Sequence, residues 1–429
     1  MGIGIGTGVA LSLGEASPWS LLGGAVAALL LVWAAQMLEW AWLAPRRMER
    51  ALRAQGLRGT QYRFLHGDLT EDLRLVTAAR SKPVPMDRPH DFIPRVAPLL
   101  HRALEEHVSL YRVLISVRMK MQHLVSDTTK ADKFSYFRPS KLNALFNLSG
   151  VITSQAYQNN RRMKAIDREI KSILRGIIEK RQKATKNGEA SKDDLLGLLL
   201  QSNMDYYSDE DGKSSKGMTV EEIIEECKLF YFAGMETTAV LLTWTMVALS
   251  MHPEWQDRAR EEILQVFGRN KPDINGVSRL KVVTMVLYEV LRLYPPVVMM
   301  NRRTYKEIEL GGVRYPAGVM LSLPVLFIHR DAAAWGHDAG EFDPGRFAEG
   351  VARACKDPGA GAFFPFSWGP RICIGQNFAL LEAKVALGMI LQRFAFELSP
   401  AYAHAPYTVL TLHPQHGVPV RLRRLRSSG

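Results

Sequence analysis

From Ala16 to Leu38 no charged residue interrupts the chain. The run SPWSLLGGAVAALLLVWAAQML is long enough, at helical rise, to cross a bilayer. A transmembrane helix is therefore expected over about 17–38, inside an anchor segment 1–45. Trp19, Trp33, Trp40 and Trp42 lie toward its ends, where indoles favour the interface. Arg46, Arg47, Arg50 and Arg53 follow it, whereas no Lys or Arg precedes it. This asymmetry predicts a lumenal amino terminus and a cytosolic body, 46–429. A cleaved leader would need a positive segment ahead of a shorter apolar core, and none is present.

In the body, helical patterns dominate and no internal repeat is visible. The polar stretches KATKNGEASKDD (183–194) and YYSDEDGKSSKG (206–217) read as surface loops. Thr219 and Glu222 then form a capping box, and an apolar-rich run reaches His252-Pro253. The pattern predicts one helix of about thirty residues, roughly 45 Å long. A further helix ending in LYEVLRLYPP is stopped by Pro295-Pro296. Between Arg302 and Leu323, short alternating runs with turn signals predict a small hairpin-bearing sheet. The loop FDPGRF (342–347) sets Arg346 among aromatics, and a last long helical pattern starts at Gln376.

With 429 residues, 47% of them hydrophobic, the chain can build a substantial core. Three cysteines, Cys227, Cys355 and Cys373, make neither a disulfide framework nor a CxxC site. The net charge of +12 is scattered among acids and accompanies no nucleic-acid motif. An anionic membrane surface or an acidic protein partner accounts for that excess, and no nucleic acid is expected. Eleven histidines lack paired metal spacing, so His329 and His337 read as structural or exposed. Cys227 and Cys355 read as ordinary thiols. The triplet Asn147-Leu148-Ser149 fits a glycosylation acceptor by pattern, but a cytosolic body would leave it unmodified.

Three stretches carry candidate chemistry. AGMETT (233–238) places a small Ala-Gly pair, an acid and two hydroxyls inside the long apolar helix. Its hydroxyls can simply back-bond to the preceding turn. Alternatively, Gly234 admits another group to the backbone while Glu236 and Thr237 handle protons in a dry place. Glu289 and Arg292, three apart, share a helix face and can pair, as many surface residues do.

The third stretch is FSWGPRICIG (366–375), a turn-rich loop that sets Cys373 just ahead of a helix. Unpaired N–H groups and the helix dipole stabilise a thiolate there. No protease signature surrounds it, and one thiolate is too few for structural zinc or a cysteine-ligated iron–sulfur cluster. A haem iron needs only one axial protein ligand. Gly369 and Gly375 would let the loop approach a flat macrocycle, Phe366 could shield the sulfur, and Arg371 could pair with a propionate.

FSWGPRICIG resembles the cytochrome P-450 haem-binding pattern FxxGxRxCxG at Phe366, Gly369, Arg371, Cys373 and Gly375. AGMETT is similar to that family's oxygen-activating helix segment, EVLR to its ExxR pair, and FDPGRF to the loop whose arginine completes an E-R-R triad. The motifs occur in the family's order. Over about 17–103 and 161–425 the wording resembles the plant subfamily that includes secologanin synthase.

The resemblance implies a mainly α fold with small β-sheets, preceded by the transmembrane helix, and a single-pass protein of the endoplasmic reticulum membrane. It implies haem b with Cys373 as proximal metal ligand, Arg371 and Arg302 as propionate partners, and Thr237 and Glu236 as the proton-handling pair. Glu289, Arg292 and Arg346 would be structural. The implied reaction is hydroxylation of a small apolar substrate, of iridoid, triterpenoid or gibberellin-like class. It would use dioxygen and electrons from NADPH through cytochrome P-450 reductase.

The family pattern fails over about 104–160, where helices B to F and a Trp-x-x-x-Arg should lie. There is no tryptophan between Trp42 and Trp244. The expected fold is thus incomplete there, and the alternative is a membrane-anchored, non-catalytic product unable to form a competent haem pocket.

Overall fold

Tryptophan, proline and arginine punctuate the first helical stretch without ending it. The computed structural model describes residues 18–57, 59–60, 68–106, 154–188, 194–207, 218–355 and 361–425. Helix α1 (Pro18–Leu38) passes through a π-helical turn, Glu39–Leu43, into α2 (Ala44–Arg53). The expected end at Leu38 is therefore a change of helical register. Pro45 removes one N–H from this continuous helical stretch, and the π-helical turn lies just ahead of it. Leu22–Arg53 is long and apolar enough to cross a membrane, and none of its apolar window is buried.

The chain divides into two compact units. One contains residues 1–84, 91–120 and 300–323. Here α3 (Leu69–Arg80) packs with α4 (Pro98–Glu106), and Arg102 pairs with Glu71 at 2.7 Å. Strands β1 (Met300–Arg303) and β4 (Met320–Leu323) pair antiparallel, as do β2 (Ile308–Leu310) and β3 (Val313–Tyr315). The β2–β3 connection is Gly311-Gly312, with φ of 61° and 80°. Positive φ at both central residues is what a type I′ hairpin requires. Gln55, in the turn after α2, exchanges two hydrogen bonds with the backbone of Arg314, at 2.8 and 2.7 Å, and so extends the β3 edge.

The second unit contains residues 85–90, 121–299 and 324–429. Its axis is α7 (Val220–Met251), preceded by α5 (Ser154–Lys186) and α6 (Leu195–Tyr207) and followed by α8 (Pro253–Phe267) and α9 (Val282–Leu293). Both halves of the Thr219–Glu222 capping box form, at 3.2 and 2.9 Å. His252 closes α7 and Pro253 opens α8. By length and composition α7 could also cross a membrane, but 44% of its apolar window is buried, as in a core helix. Its residues Trp244, Val247, Ala248 and Leu249 are fully buried, as are Ile263 of α8 and Val286, Leu287 and Val290 of α9. At ~25 cal/mol per Å² of apolar area, the Val, Leu and Ile side chains among these contribute about 1.5–3 kcal/mol each.

Helix α10 (Gln376–Leu391) packs on α7, α8 and α9. Strands β5 (Phe394–Leu398) and β8 (Val420–Arg424) pair antiparallel, as do β6 (Pro406–Thr408) and β7 (Leu412–Pro414). Buried Gln256 serves as an edge for β5: its amide donates to the Phe396 carbonyl at 2.9 Å and accepts from the Phe396 N–H at 3.1 Å.

Helix takes the edges of the two polar stretches expected as loops. Helix α5 continues to Lys186, α6 begins at Leu195, and Tyr206 and Tyr207 are helical. Residues 189–193, 208–217, Asn147 and most of 104–160 lie outside the described residues.

Candidate active site

The loop 361–375 brings its chemistry to the start of α10 by backbone bonding. The Cys373 N–H donates to the Phe366 carbonyl at 2.8 Å, closing the loop over the intervening turn. Ser367 and Gly369 adopt φ of 68° and 74°, so the chain reverses twice in three residues. Gly369–Arg371 is a 3-10 turn, Gly375 precedes α10, and Arg371 is exposed. Cys373 is exposed, whereas Cys227 and Cys355 are half-buried. Burial pushes the Cys227 thiol up, away from reactivity.

Beneath the loop, His329 is fully buried and accepts the Phe364 N–H at its Nε2 at 3.1 Å. It must be neutral at that nitrogen, and desolvation followed by the nearby Arg292 charge lowers its pKa to about 3. His329 is thus structural, and His337 is exposed.

Arg292 and Glu289 form a bidentate pair at 2.7 Å with neither side chain exposed. The Arg292 guanidinium also donates to the carbonyls of His329 (3.0 Å), Ala339 (2.6 Å) and Glu341 (2.9 Å). Arg346, in the 3-10 turn Pro344–Phe347, approaches Glu289 Oε1 at 3.6 Å and pairs with Asp338 at 2.7 Å. The sequence motifs left this pair readable as a surface feature. The five hydrogen bonds of Arg292 and the burial of the pair make it a junction between α9 and the segment leading to the cysteine loop.

On α7, Thr237 donates to the Ala233 carbonyl at 2.7 Å, the back-bonded arrangement open from the sequence. Glu236 is half-buried, and its Oε1 accepts from Thr411 Oγ1 at 2.8 Å and His413 Nε2 at 2.7 Å. Neither Thr411 nor His413 was marked by sequence reasoning. Their Thr-Leu-His alternation signals a strand with polar residues on one face, but not the partner 175 residues away. Gly234 has open space where a Cβ would stand. Arg302 lies in β1, in the other unit, and donates to the Asn301 carbonyl at 3.0 Å.

The cytochrome P-450 family model matches residues 109–415. The chain belongs to the cytochrome P-450 family. This P-450 is 43% identical to cytochrome P-450 CYP72A616 of Paris polyphylla, over 516 aligned positions taking in 94% of the chain and 99% of the relative. It is 38% identical to secologanin synthase 1 of Catharanthus roseus over 511 positions, covering 93% and 97%. To 11-oxo-beta-amyrin 30-oxidase of Glycyrrhiza uralensis it is 40% identical over 511 positions, with the same coverage. Each alignment is longer than the 429 residues of the chain, so each relative holds sequence without a counterpart here. Among solved structures, the cytochrome P-450DA haem domain superposes with a TM-score of 0.55 at 26% identity. That match covers 73% of this chain and 61% of the solved one.

The chain is accordingly a cytochrome P-450 monooxygenase of mainly α fold. Its cofactor is haem with thiolate-ligated iron, and it works with dioxygen, a substrate and a redox partner. The residues around Cys373 fit that group. An exposed thiol stands beside exposed Ile372, Ile374 and Phe378, while α7, packed on α10, exposes Tyr231, Phe232 and Met235. A Cβ at Gly375 would meet only Cys373 Sγ, at 3.9 Å.

Proposed function

We propose that Cys373 ligates haem b in a monooxygenase that hydroxylates a small apolar substrate of terpenoid class. The observation that carries the ligand assignment is the exposed Cys373 thiol on a loop closed by its own N–H, directly ahead of α10. When bound, the haem supplies the redox chemistry of dioxygen activation. Phe366, Gly369 and Gly375 shape the cradle, and Arg371 holds the macrocycle's carboxylates. Glu236 and Thr237 hold and pass protons. Glu289, Arg292 and Arg346 fix the scaffold behind the loop. The terpenoid class is supported by the names of two relatives, secologanin synthase and 11-oxo-beta-amyrin 30-oxidase.

Residues 1–45 serve as a single-pass anchor in the endoplasmic reticulum membrane, and 46–429 form the cytosolic catalytic domain. Support comes from the exposed apolar helix and the arginines that follow it. Electrons arrive from NADPH–cytochrome P-450 reductase, whose docking the basic excess of this chain would favour.

A second reading, a shortened product that folds without a competent haem pocket, is favoured by two observations. The relatives' alignments exceed this chain's length. Along α5, Met163, Ile166, Ile170, Ile173 and Ile177 form an exposed apolar stripe at helical spacing, as expected where a covering segment is missing.

The reduced, carbon-monoxide-bound difference spectrum of the microsomal protein separates the two. A strongly red-shifted Soret band in the wild type, lost in Cys373→Ala and kept in Cys227→Ser and Cys355→Ser, supports the monooxygenase. Protein present without that band supports the second reading.

A further inference from the structure

Glu236 does not stand alone on α7. Leu412, fully buried in β7, is fixed from two directions: its carbonyl accepts the Trp244 indole N–H at 2.7 Å, and its N–H donates to the Pro296 carbonyl at 3.0 Å. Strand alternation turns the residues on either side of it to the opposite face. Those residues are Thr411 and His413, and both reach Glu236.

The hydrogens of this group can be counted. Thr411 Oγ1 and His413 Nε2 lie 2.8 Å apart, and each lies within 2.8 Å of the same carboxylate oxygen. A hydroxyl has one hydrogen and an ionised carboxylate has none. Two donors therefore converge on Oε1 when His413 carries its proton on Nε2. Among the described residues no hydrogen bond reaches Oε2. One oxygen of Glu236 is tied to the β6–β7 hairpin, and the other is bonded to no described residue.

We propose that Thr411 and His413 are positioning residues that clamp Glu236 through Oε1 and so make Oε2 the oxygen that takes up and passes on protons during turnover. In each passage Oε2 gains one proton from water and releases it toward the reacting oxygen, and Glu236 ends as the carboxylate it began as. This rests on the reading of Glu236 as a proton-handling residue.

The test uses the full chain with Glu236→Gln, His413→Leu, His413→Gln and Thr411→Val. The bonds to Leu412 are independent of these side chains, so the hairpin remains seated. The first measurement is thermal unfolding of Glu236→Gln, His413→Leu and their double variant, which needs no turnover. Non-additive shifts in melting temperature are expected, and additive ones overturn the clamp.

The second is reductase-driven NADPH oxidation without added substrate, in H2O and D2O, normalised to thiolate-haem content. His413→Leu should slow it about tenfold, less than the ~10²–10⁴-fold that a whole proton-transfer group contributes because Glu236 itself remains, and should enlarge the solvent isotope effect. His413→Gln, which keeps an N–H donor, should restore both. If Glu236→Gln alters the isotope effect but His413→Leu leaves it unchanged, the clamp is overturned and the role of Glu236 stands. A wild-type chain lacking the red-shifted band overturns the monooxygenase reading itself, and the proton role with it.

Discussion

Arg292 grips both oxygens of the Glu289 carboxylate, Nε on Oε2 and Nη2 on Oε1, at 2.7 Å each, with both side chains removed from solvent. Glu289 Oε1 also accepts the Asp343 N–H at 2.8 Å, so the pair joins α9 to the turn that carries Arg346. Removing either partner leaves a buried charge uncompensated, at a cost of about 3–5 kcal/mol. Against the ~5–15 kcal/mol that holds a typical protein folded, that is a large share, so Glu289→Ala should unfold at a markedly lower urea concentration. Arg292→Lys should fare little better, because a point ammonium cannot reproduce the fork and three carbonyl contacts. Urea unfolding followed by tryptophan fluorescence gives the answer, and a midpoint unchanged in Glu289→Ala would contradict the buried geometry.

Two buried histidines set the acid limit of stability. Burial, then the nearby Arg330 charge, lowers the His90 pKa to about 2, and that of His329 falls to about 3. Both native values lie below the unfolded value of ~6.5, so the unfolded chain binds more protons at lower pH. Their contribution is therefore fully present above the unfolded value and is lost progressively as pH falls below it toward the native values. Two such groups weaken the fold by roughly 4 kcal/mol between pH 7 and 5. The urea midpoint should fall over that interval, and His329→Phe should flatten the fall. A midpoint independent of pH would refute the neutral, buried assignment.

How far the sequence led is clearest at these same residues. Helix α7 was legible from end to end, because the Thr219–Glu222 box and the His252-Pro253 stop are local signals. The order of motifs around Cys373 was legible for the same reason. The depth of Glu289 and Arg292 was not: an i,i+3 charge pair looks alike on a surface and in a core, and only the packing of α9 against α7 and α8 decides. The link from Glu236 to His413 was invisible, since it depends on which strand face the Trp244–Leu412 bond turns inward. The polar stretch at 183–194 misled at its start because Lys183, Thr185 and Lys186 continue α5, with Thr185 bonding back to the Arg181 carbonyl at 2.9 Å.

The adjacent threonines of α7 should separate stability from chemistry. Thr237 spends its hydroxyl on its own helix, so Thr237→Val should change stability by no more than about 0.5 kcal/mol. Thr238 is buried, and its Oγ1 has no hydrogen-bond partner among the described residues. Thr238→Val removes that unsatisfied group at nearly constant shape and should be neutral or stabilising by about 1 kcal/mol. If the proton-handling reading is right, only Thr237→Val should reduce product formed per NADPH consumed. Equal losses in both variants would remove the special role of Thr237.

Trp244 tests whether the hairpin is held from α7. Its ring stacks on Tyr294 with centroids 4.7 Å apart, and its N–H reaches the Leu412 carbonyl. Trp244→Phe keeps the stacking but leaves that buried carbonyl without its donor, at a cost of about 1–3 kcal/mol. Because Leu412 lies between Thr411 and His413, the loosened strand should also release Glu236. Hydrogen exchange should therefore quicken at the amides of 406–414, while that of α9, whose stacking partner Trp244→Phe keeps, stays slow. Uniformly faster exchange would mean that Trp244 supports the core as a whole, whereas unchanged exchange at 406–414 would show that the Pro296 bond alone seats the strand.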